Sequence, residues 1–383
     1  MRILVALTYF RPHVSGLTIY VERLAAAWAQ AGHPVTILTS RYRKDLPPRE
    51  DTGGVRILRL PVAARISKGV LMPTIGLEAT RQVGRHDVVS LHLPQFDAAG
   101  IALRGRLFGR PTVLTHHCDL RLPVGLLNAP AHLAVQWANH VAALLADAVV
   151  SYTQDYAQHS SFLSRYASKL HVIPPPVEVP DPRSEDRAKF QAIRRGKGPV
   201  IGMAARLATE KGVEYLLEAL PSILTRHPDA HVLFAGQHED VLGEGAYARR
   251  LQPLLQAMAD HWTFLGVLDP RSMAAFYEAC DVTVLPSLNS TESFGLVQIE
   301  SMLCGTPVVA ADLPGVRQPV LTTGMGRIVP LRDAEALARA VLEVLDHPPA
   351  ATDLRALRER HAPASVAAAY LQLFRDLGAG TGP

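Results

Sequence analysis

Cysteine is scarce in this chain: three in 383 residues, at Cys118, Cys280 and Cys304. So few, so far apart, exclude a disulfide framework or a zinc ribbon and point to a reducing compartment. Aromatic residues reach only 6%. The basic residues are not interleaved with aromatic stacking platforms, which argues against nucleic acid as a partner. Long hydrophobic runs are missing too. The most apolar helical stretch, AHLAVQWANHVAALLADAVV, is interrupted by Gln136, Asn139, His140 and Asp147. It reads as a core helix running into a strand, and no segment reads as a membrane span. The opening MRILVALTYF lacks the basic-then-apolar layout of a signal peptide, so the expected location is cytoplasmic.

What is present describes a globular enzyme-sized chain. Apolar residues make up 48% and charged ones 19%, and at about 150 residues per domain the length predicts two or three domains. Charge divides unevenly. Residues 1–173 hold 19 Lys+Arg against 10 Asp+Glu, net +9; the remainder holds 20 against 25, net −5, for the total of +4. Arg81, Arg85, Arg104, Arg106 and Arg110 in the basic half suit either a solvated surface or peripheral contact with an anionic membrane face, and the sequence leaves both open.

Apolar β-branched runs alternate with helical periodicity from end to end, the pattern of doubly wound parallel sheets. The first series runs ILVALT, VTILTS, VRILRL, DVVSLHL, TVLTHH, AVVSY and KLHVI; a second starts at PVIGMAA and continues through HVLFAG, WTFLG, VTVLP, PVVAA and GRIVP. A Pro-rich join, IPPPVEVPDP, separates them. The expected domains are 1–173 and 174–362, and the tail GAGTGP is expected to fray. The first strand-to-helix turn, PHVSGLTIYVE, has only Gly16 where a nicotinamide-binding fold needs G-x-G-x-x-G.

The most informative stretch is Val282 to Ala311, VTVLPSLNSTESFGLVQIESMLCGTPVVAA. It reads as strand, polar loop, helix, strand, with Leu296, Ile299, Met302 and Leu303 at helical spacing and Gly305 and Pro307 as the stop. Ligands of open α/β sheets gather outside the carboxyl ends of the strands. Gly295 lets a ligand approach the backbone, and the amides of Phe294, Gly295 and Leu296 would face an anion. Glu292 lies before that turn and Glu300 after it. Upstream, AARLATEKGVEYLLEAL sets Arg206 and Lys211 five residues apart, a spacing suited to two cations converging on one diphosphate.

ESFGLVQIESMLCGTPVV resembles the donor-site signature of the retaining glycosyltransferases of family four: two glutamates separated by seven residues, with Phe-Gly-Leu between. The Arg206–Lys211 segment resembles the same family's Gly-Arg-Leu…Glu-Lys-Gly motif, with Ala205 in place of the first glycine. The resemblance implies a GT-B fold, two Rossmann-like domains facing across a cleft, with the final helix (within 363–383) returning to the first. It implies transfer of a sugar from a nucleoside diphosphate sugar, the co-substrate, to an acceptor hydroxyl, with retention and without a metal or other cofactor. Arg206, Lys211 and the amides at Phe294 to Leu296 would meet the diphosphate, Glu292 the sugar, Glu300 the ribose and Val267 the base through its main chain. Gly315 would lie near the donor, and Gly16 would occupy the family's glycine-rich loop, whose usual second glycine is missing here.

TVLTHHCDL ends a strand, and strand alternation puts His117 and Asp119 on one face, His116 and Cys118 on the other. The resemblance assigns His117 to the sugar-binding cleft and Asp119 to the acceptor side; a His-His-x-Asp metal site is a rival that adjacent histidines pointing apart disfavour. The stretch ARISKGVLMPTIG (64–76) is expected to choose the acceptor. Rival functions are a sugar-nucleotide epimerase, a phosphorylase, and a sugar-nucleotide-binding subunit without activity.

Overall fold

In a computed structural model, which describes residues 1–66, 69–119, 128–194, 198–241, 243–350 and 353–380, the chain divides into two compact units. Unit 1 comprises Met1–Pro176 and Arg360–Pro383; unit 2 comprises Val177–Glu359. In chain order unit 1 contains β1 Ile3–Ala6, α1 Gly16–Gln30, β2 Val35–Arg41, β3 Arg49–Thr52, β4 Val55–Pro61, β5 Ala64–Ile66, β6 Gly69–Leu71, α2 Ile75–Arg85, β7 Val88–Leu93, α3 Ala98–Leu107, β8 Thr112–His116, α4 Asn128–Leu145, β9 Ala148–Ser151, α5 Gln154–His159 and β10 Leu170–Val172. Unit 2 follows with α6 Ser184–Arg194, β11 Val200–Ala204, α7 Val213–Arg226, β12 His231–Ala235, α8 Gly245–Ala257, β13 Trp262–Gly266, α9 Pro270–Ala279, β14 Val282–Leu285, α10 Leu296–Leu303, β15 Val308–Ala311, α11 Gln318–Thr323, β16 Gly326–Val329 and α12 Ala334–Asp346. The chain then runs through α13 Leu354–His361 into α14 Pro363–Asp376.

Each unit is a twisted sheet covered by helices. In unit 2 the strand order is β13-β12-β11-β14-β15-β16, all parallel. The order reverses between β11 and β14, so the loops after these two strands open onto a crevice. Unit 1 has the order β10-β9-β8-β7-β1-β2-β4-β3, with its reversal between β1 and β7. Its strands bury Leu4, Ala6, Leu38, Leu91, Leu114 and Val149 against helices on the sheet. Such fully apolar strands are what a sheet covered on both faces requires.

Three strands depart from the sequence reading. β3 runs antiparallel to β4, and β5 and β6 form a small hairpin of their own. β3 is the exposed edge sequence REDT, whose pattern carries no apolar signal. The tail also differs from the expected fraying. Gly378 at φ +85° lets the Ala379 N–H reach the Phe374 carbonyl and its own N–H reach the Arg375 carbonyl, a Schellman closure that buries Ala379. Residues 381–383 lie outside the described residues.

The last helix belongs to unit 1. α14 packs along α1: Trp28 Nε1 donates to the Ala367 carbonyl at 3.3 Å, and the Tyr370 hydroxyl lies 2.8 Å from those of Tyr20 and Thr115.

Candidate active site

In unit 2 the loops after β11 and β14 are laced together. The Leu288 N–H donates to the Glu210 carbonyl at 3.0 Å. Gly212, at φ +66°, passes so close that a Cβ would overlap the Pro286 carbonyl oxygen and lie 3.0 Å from Leu288 Cδ2. Beside that glycine, Lys211 Nζ donates to Glu292 Oε2 at 2.6 Å, with 20% and 18% of the two side chains exposed. Arg206 Nη2 donates to Glu210 Oε1 at 2.9 Å. Two cations and one acidic side chain of the signature therefore sit over the crevice where the strand order reverses.

The turn into α10 completes this group. Gly295 is its N-cap at φ +77°, and a Cβ there would clash with Leu285 Cδ2 and lie 2.7 Å from Gln298 Nε2. Gln298, fully buried, donates through Nε2 to the carbonyls of Phe294 at 2.8 Å and Val316 at 2.9 Å and fixes the turn from below. The N–H groups of Gly295 and Leu296 meet no acceptor among the described residues. They lie at the positive end of a helix dipole. One turn and a half on, Glu300 accepts from the buried Tyr277 hydroxyl at 3.1 Å. Burial and then the Glu300 charge hold that phenol well above its ordinary pKa. Val267 follows Gly266, the last residue of β13, which has φ +70°, and is 66% exposed. β13 is the edge strand, two away from β11. Gly315 has φ +80° in the turn before α11.

Unit 1 brings its histidines together differently from the strand-face expectation. β8 ends at His116, so alternation does not continue to residue 119. His116 Nε2, not His117, lies 3.1 Å from Asp119 Oδ1, which also accepts from Ser160 Oγ at 2.8 Å. The Asp119 N–H donates to the Tyr156 hydroxyl at 2.8 Å. His117 turns inward and is 6% exposed: Nε2 meets His92 Nδ1 at 2.8 Å, and Nδ1 shares a hydrogen bond with the Tyr152 hydroxyl. Burial, then the neighbouring His92 and His116, push His117 well below the usual imidazole pKa, and burial takes His92 down to about 3. Gly16 is the first residue of α1. Ser15 caps that helix, its Oγ accepting from the Thr18 N–H at 3.2 Å while Thr18 Oγ1 accepts from the Ser15 N–H at 2.8 Å. A capping box thus does the work expected of a flexible glycine. Cys280 is buried and Cys304 is pushed up to about 12, chiefly by burial, so neither is poised as a thiolate.

Residues 184–360 match the family described as "Glycosyl transferases group 1", and residues 15–176 match the "Glycosyl transferase 4-like domain". The D-inositol 3-phosphate glycosyltransferase of Acidothermus cellulolyticus is 30% identical over 361 residues, which span 86% of this chain and 78% of that one. The chain belongs to the group 1 glycosyl transferases. The GDP-mannose-dependent alpha-(1-6)-phosphatidylinositol monomannoside mannosyltransferase of Mycolicibacterium smegmatis is 26% identical over 88% of each chain. Among solved structures, the sucrose-phosphate synthase of Thermosynechococcus elongatus superposes with a TM-score of 0.75 at 25% identity, over 98% of each chain. Anabaena HepE in complex with UDP gives 0.75 at 19% over 98% of this chain and 100% of its own, a likeness of fold alone. This glycosyltransferase therefore has the GT-B architecture of two Rossmann-like domains and a sugar-transfer function.

Sequence reasoning overlooked Glu210, which orients Arg206, and Gln298, which holds the glycine turn. A polar residue fully buried on an apolar helix face is a signal, but nothing in the sequence says that position 298 is buried.

Proposed function

We propose that this glycosyltransferase moves a sugar from a nucleoside diphosphate sugar to an acceptor hydroxyl with retention, without a metal, and with the donor held by unit 2. The observation that carries this is the Lys211–Glu292 pair, set with Arg206 beside the Gly295 turn at the reversal of strand order. Arg206, Lys211 and the Gly295 and Leu296 amides would neutralise the departing diphosphate, with Phe294 completing the turn. Fixed charge of this kind is often the largest catalytic contribution. Glu292, already beside Lys211, would grip the sugar's hydroxyls, Glu300 the ribose, and the Val267 main chain the base. The bond from the anomeric carbon to phosphate oxygen breaks, the acceptor oxygen bonds to the same face, and its proton passes to the leaving phosphate. Unit 1 would supply the acceptor side, with His117 turned by His92 and Tyr152, Asp119 held by His116 and Ser160, and Gly16 opening α1. The test is a thermal-shift panel of UDP, GDP and ADP sugars followed by NMR of the product's anomeric centre. No nucleotide that raises the melting temperature, or an inverted product, would sink the reading; loss of turnover in EDTA would sink metal independence.

A second observation favours peripheral contact with an anionic membrane. α4 contains no charged residue, yet exposes Leu133, Trp137 and Leu144, three positions on one helical stripe. Lys169 caps its end, donating to the Leu144 and Ala146 carbonyls at 3.2 and 2.8 Å; burial lowers its pKa, the Asp147 carboxylate opposes that, and Arg106 adds to it. Burial, then Arg165, lowers the pKa of His140, halfway along. An apolar stripe with Lys169, Arg106 and Arg165 near it, against the single carboxylate of Asp147, suits the boundary of an anionic bilayer.

A further inference from the structure

Unit 1 contains a cavity of about 210 Å³ between α2 and α3, lined by Ile75, Gly76, Ala79, Phe96, Asp97, Gly100, Ile101 and Arg104. Two of its lining residues, Phe96 and Asp97, lie in the loop that follows β7, one of the two strands at the reversal of strand order, where open α/β sheets take their ligands. The volume is below the roughly 300 Å³ at which pockets for drug-sized ligands begin, and suits a single ring.

Its two charged side chains, Asp97 and Arg104, are half-buried, and they differ in how far the protein satisfies them. Asp97 is the N-cap of α3, the position where an aspartate ordinarily accepts from its helix's first amides. Here φ −81° and ψ −1° turn it away, and its side chain makes no capping bond. Its carboxyl has no partner among the described residues, and burial lifts its pKa to about 6. Arg104 lies across the cavity floor, Nε donating to Thr80 Oγ1 and Nη1 to the Gly100 carbonyl, each at 2.7 Å. Two glycines make room for it: a Cβ on Gly76 would stand 3.3 Å from Arg104 Nη2, and one on Gly100 would stand 3.5 Å from Nη1. Phe96 presents an exposed ring at the mouth.

The chemistry of this lining selects its ligand. A phosphate would meet the Asp97 carboxyl, and an ammonium would meet the Arg104 guanidinium. A hydroxyl both donates to a carboxylate and accepts from a guanidinium, and the C–H face of a polyhydroxylated ring packs on an aromatic ring and on Ile75 and Ile101. We infer that this cavity is the acceptor-ring subsite of the transferase: a neutral monosaccharide or cyclitol ring lies against Phe96, with its hydroxyls bonded to Asp97 and Arg104. The inference rests on the sugar-transfer reading and deepens it, since Ile75 and Gly76 end the 64–76 stretch expected to choose the acceptor.

Saturation-transfer NMR on the full chain with methyl α-mannoside, methyl α-glucoside and myo-inositol tests it, alongside a thermal shift with UDP and GDP. The wild type should bind at least one ring. Gly76→Val, which fills the floor, and Asp97→Asn should each weaken that binding tenfold or more, with nucleotide shifts as in the wild type. Gly76→Ala, smaller by two methyl groups, should lose less than Gly76→Val, which checks that lost space rather than lost folding is read. Ring binding that survives both Gly76→Val and Asp97→Asn, or a wild type that binds a nucleotide but none of the rings, overturns the subsite while leaving the donor reading intact. Ring binding lost in the variants, with no nucleotide bound by any protein, supports the subsite and sinks the donor reading instead.

Discussion

A lysine and a glutamate 2.6 Å apart, each about one-fifth exposed, form the pair on which the proposed grip on a polyphosphate rests. The cost of removing one partner lies between the roughly 0.2–1 kcal/mol of an exposed pair and the roughly 3–5 kcal/mol of a fully buried one, so Lys211→Ala should lower the melting temperature by several degrees without unfolding the chain. The same change, or Arg206→Ala, should remove nearly all transfer; turnover near the wild-type rate in both would refute their role. Glu300→Ala should mainly weaken binding of bare nucleoside diphosphate, and Glu292→Ala should mainly slow transfer; equal losses of nucleotide affinity would refute that division. Gly295→Ala is expected to be worse for the fold, adding roughly 1–3 kcal/mol of overpacking to a left-handed backbone that an alanine tolerates poorly. Differential scanning calorimetry checks it.

Proton uptake follows from the buried histidines. His92 and His117 both have folded pKa values depressed by burial, so the unfolded chain binds more protons. Their contribution to stability is full above the unfolded imidazole value of about 6.5 and is lost as pH falls toward the folded values. The melting temperature should drop between pH 7 and 5, and His92→Gln should flatten that slope; an unchanged slope would remove these histidines from the account. At this scale the residues that meet in unit 2, Lys211 with Glu292, were legible as residue types at a telling spacing, whatever their role. The His116–Asp119 contact was not, because it depends on where β8 stops. Asp97 was not either, since an aspartate before a helix ordinarily signals nothing beyond a cap.

Elements were read best where burial imposed a pattern. All the apolar parallel strands were visible in the sequence, whereas β3, β5 and β6, short and partly polar, carried no period to read. α4 was legible as a helix, and its charge-free outer face becomes apparent only from what it leaves uncovered. Trp137 is 69% exposed, while Trp28 and Trp262 are buried, so tryptophan emission reports on this helix. Vesicles rich in anionic lipid should blue-shift it, 1 M salt should reverse the shift by shortening the Debye length to about 3 Å, and Trp137→Ser should abolish it. A neutral-lipid shift of equal size would refute the charge component. α14 is the counterpart on the inside. Tyr370→Phe strands the Tyr20 and Thr115 hydroxyls in the core, with an expected cost of about 1–3 kcal/mol measurable by urea denaturation.

At the scale of the whole molecule, the two units differ in how the chain supplies them. Unit 2 is one continuous span, Val177–Glu359, with its own core around Leu216, Val232, Val284 and Val341. Expressed alone, 177–359 should fold cooperatively and keep the nucleotide affinity of the full chain; an unfolded fragment would show that this span lacks independent stability. Two alternating strand–helix series and a Pro-rich join made this division readable in outline, but the ownership of α14 could not be read from periodicity, because nothing in an amphipathic helix names the surface it covers.

Tyr20 and Tyr370 touch across 350 residues, and that separation gives the protein a timetable. A ribosome adding roughly 5–20 residues per second delivers the second tyrosine some 20–70 s after the first. Throughout that interval the nascent amino-terminal half shows the bare flank of α1, Trp28 included, while unit 2, finished at Glu359, is complete before Tyr370 appears. The portion born first is thus the last to be sealed, and chaperones that bind exposed aromatic surface have their longest opportunity there.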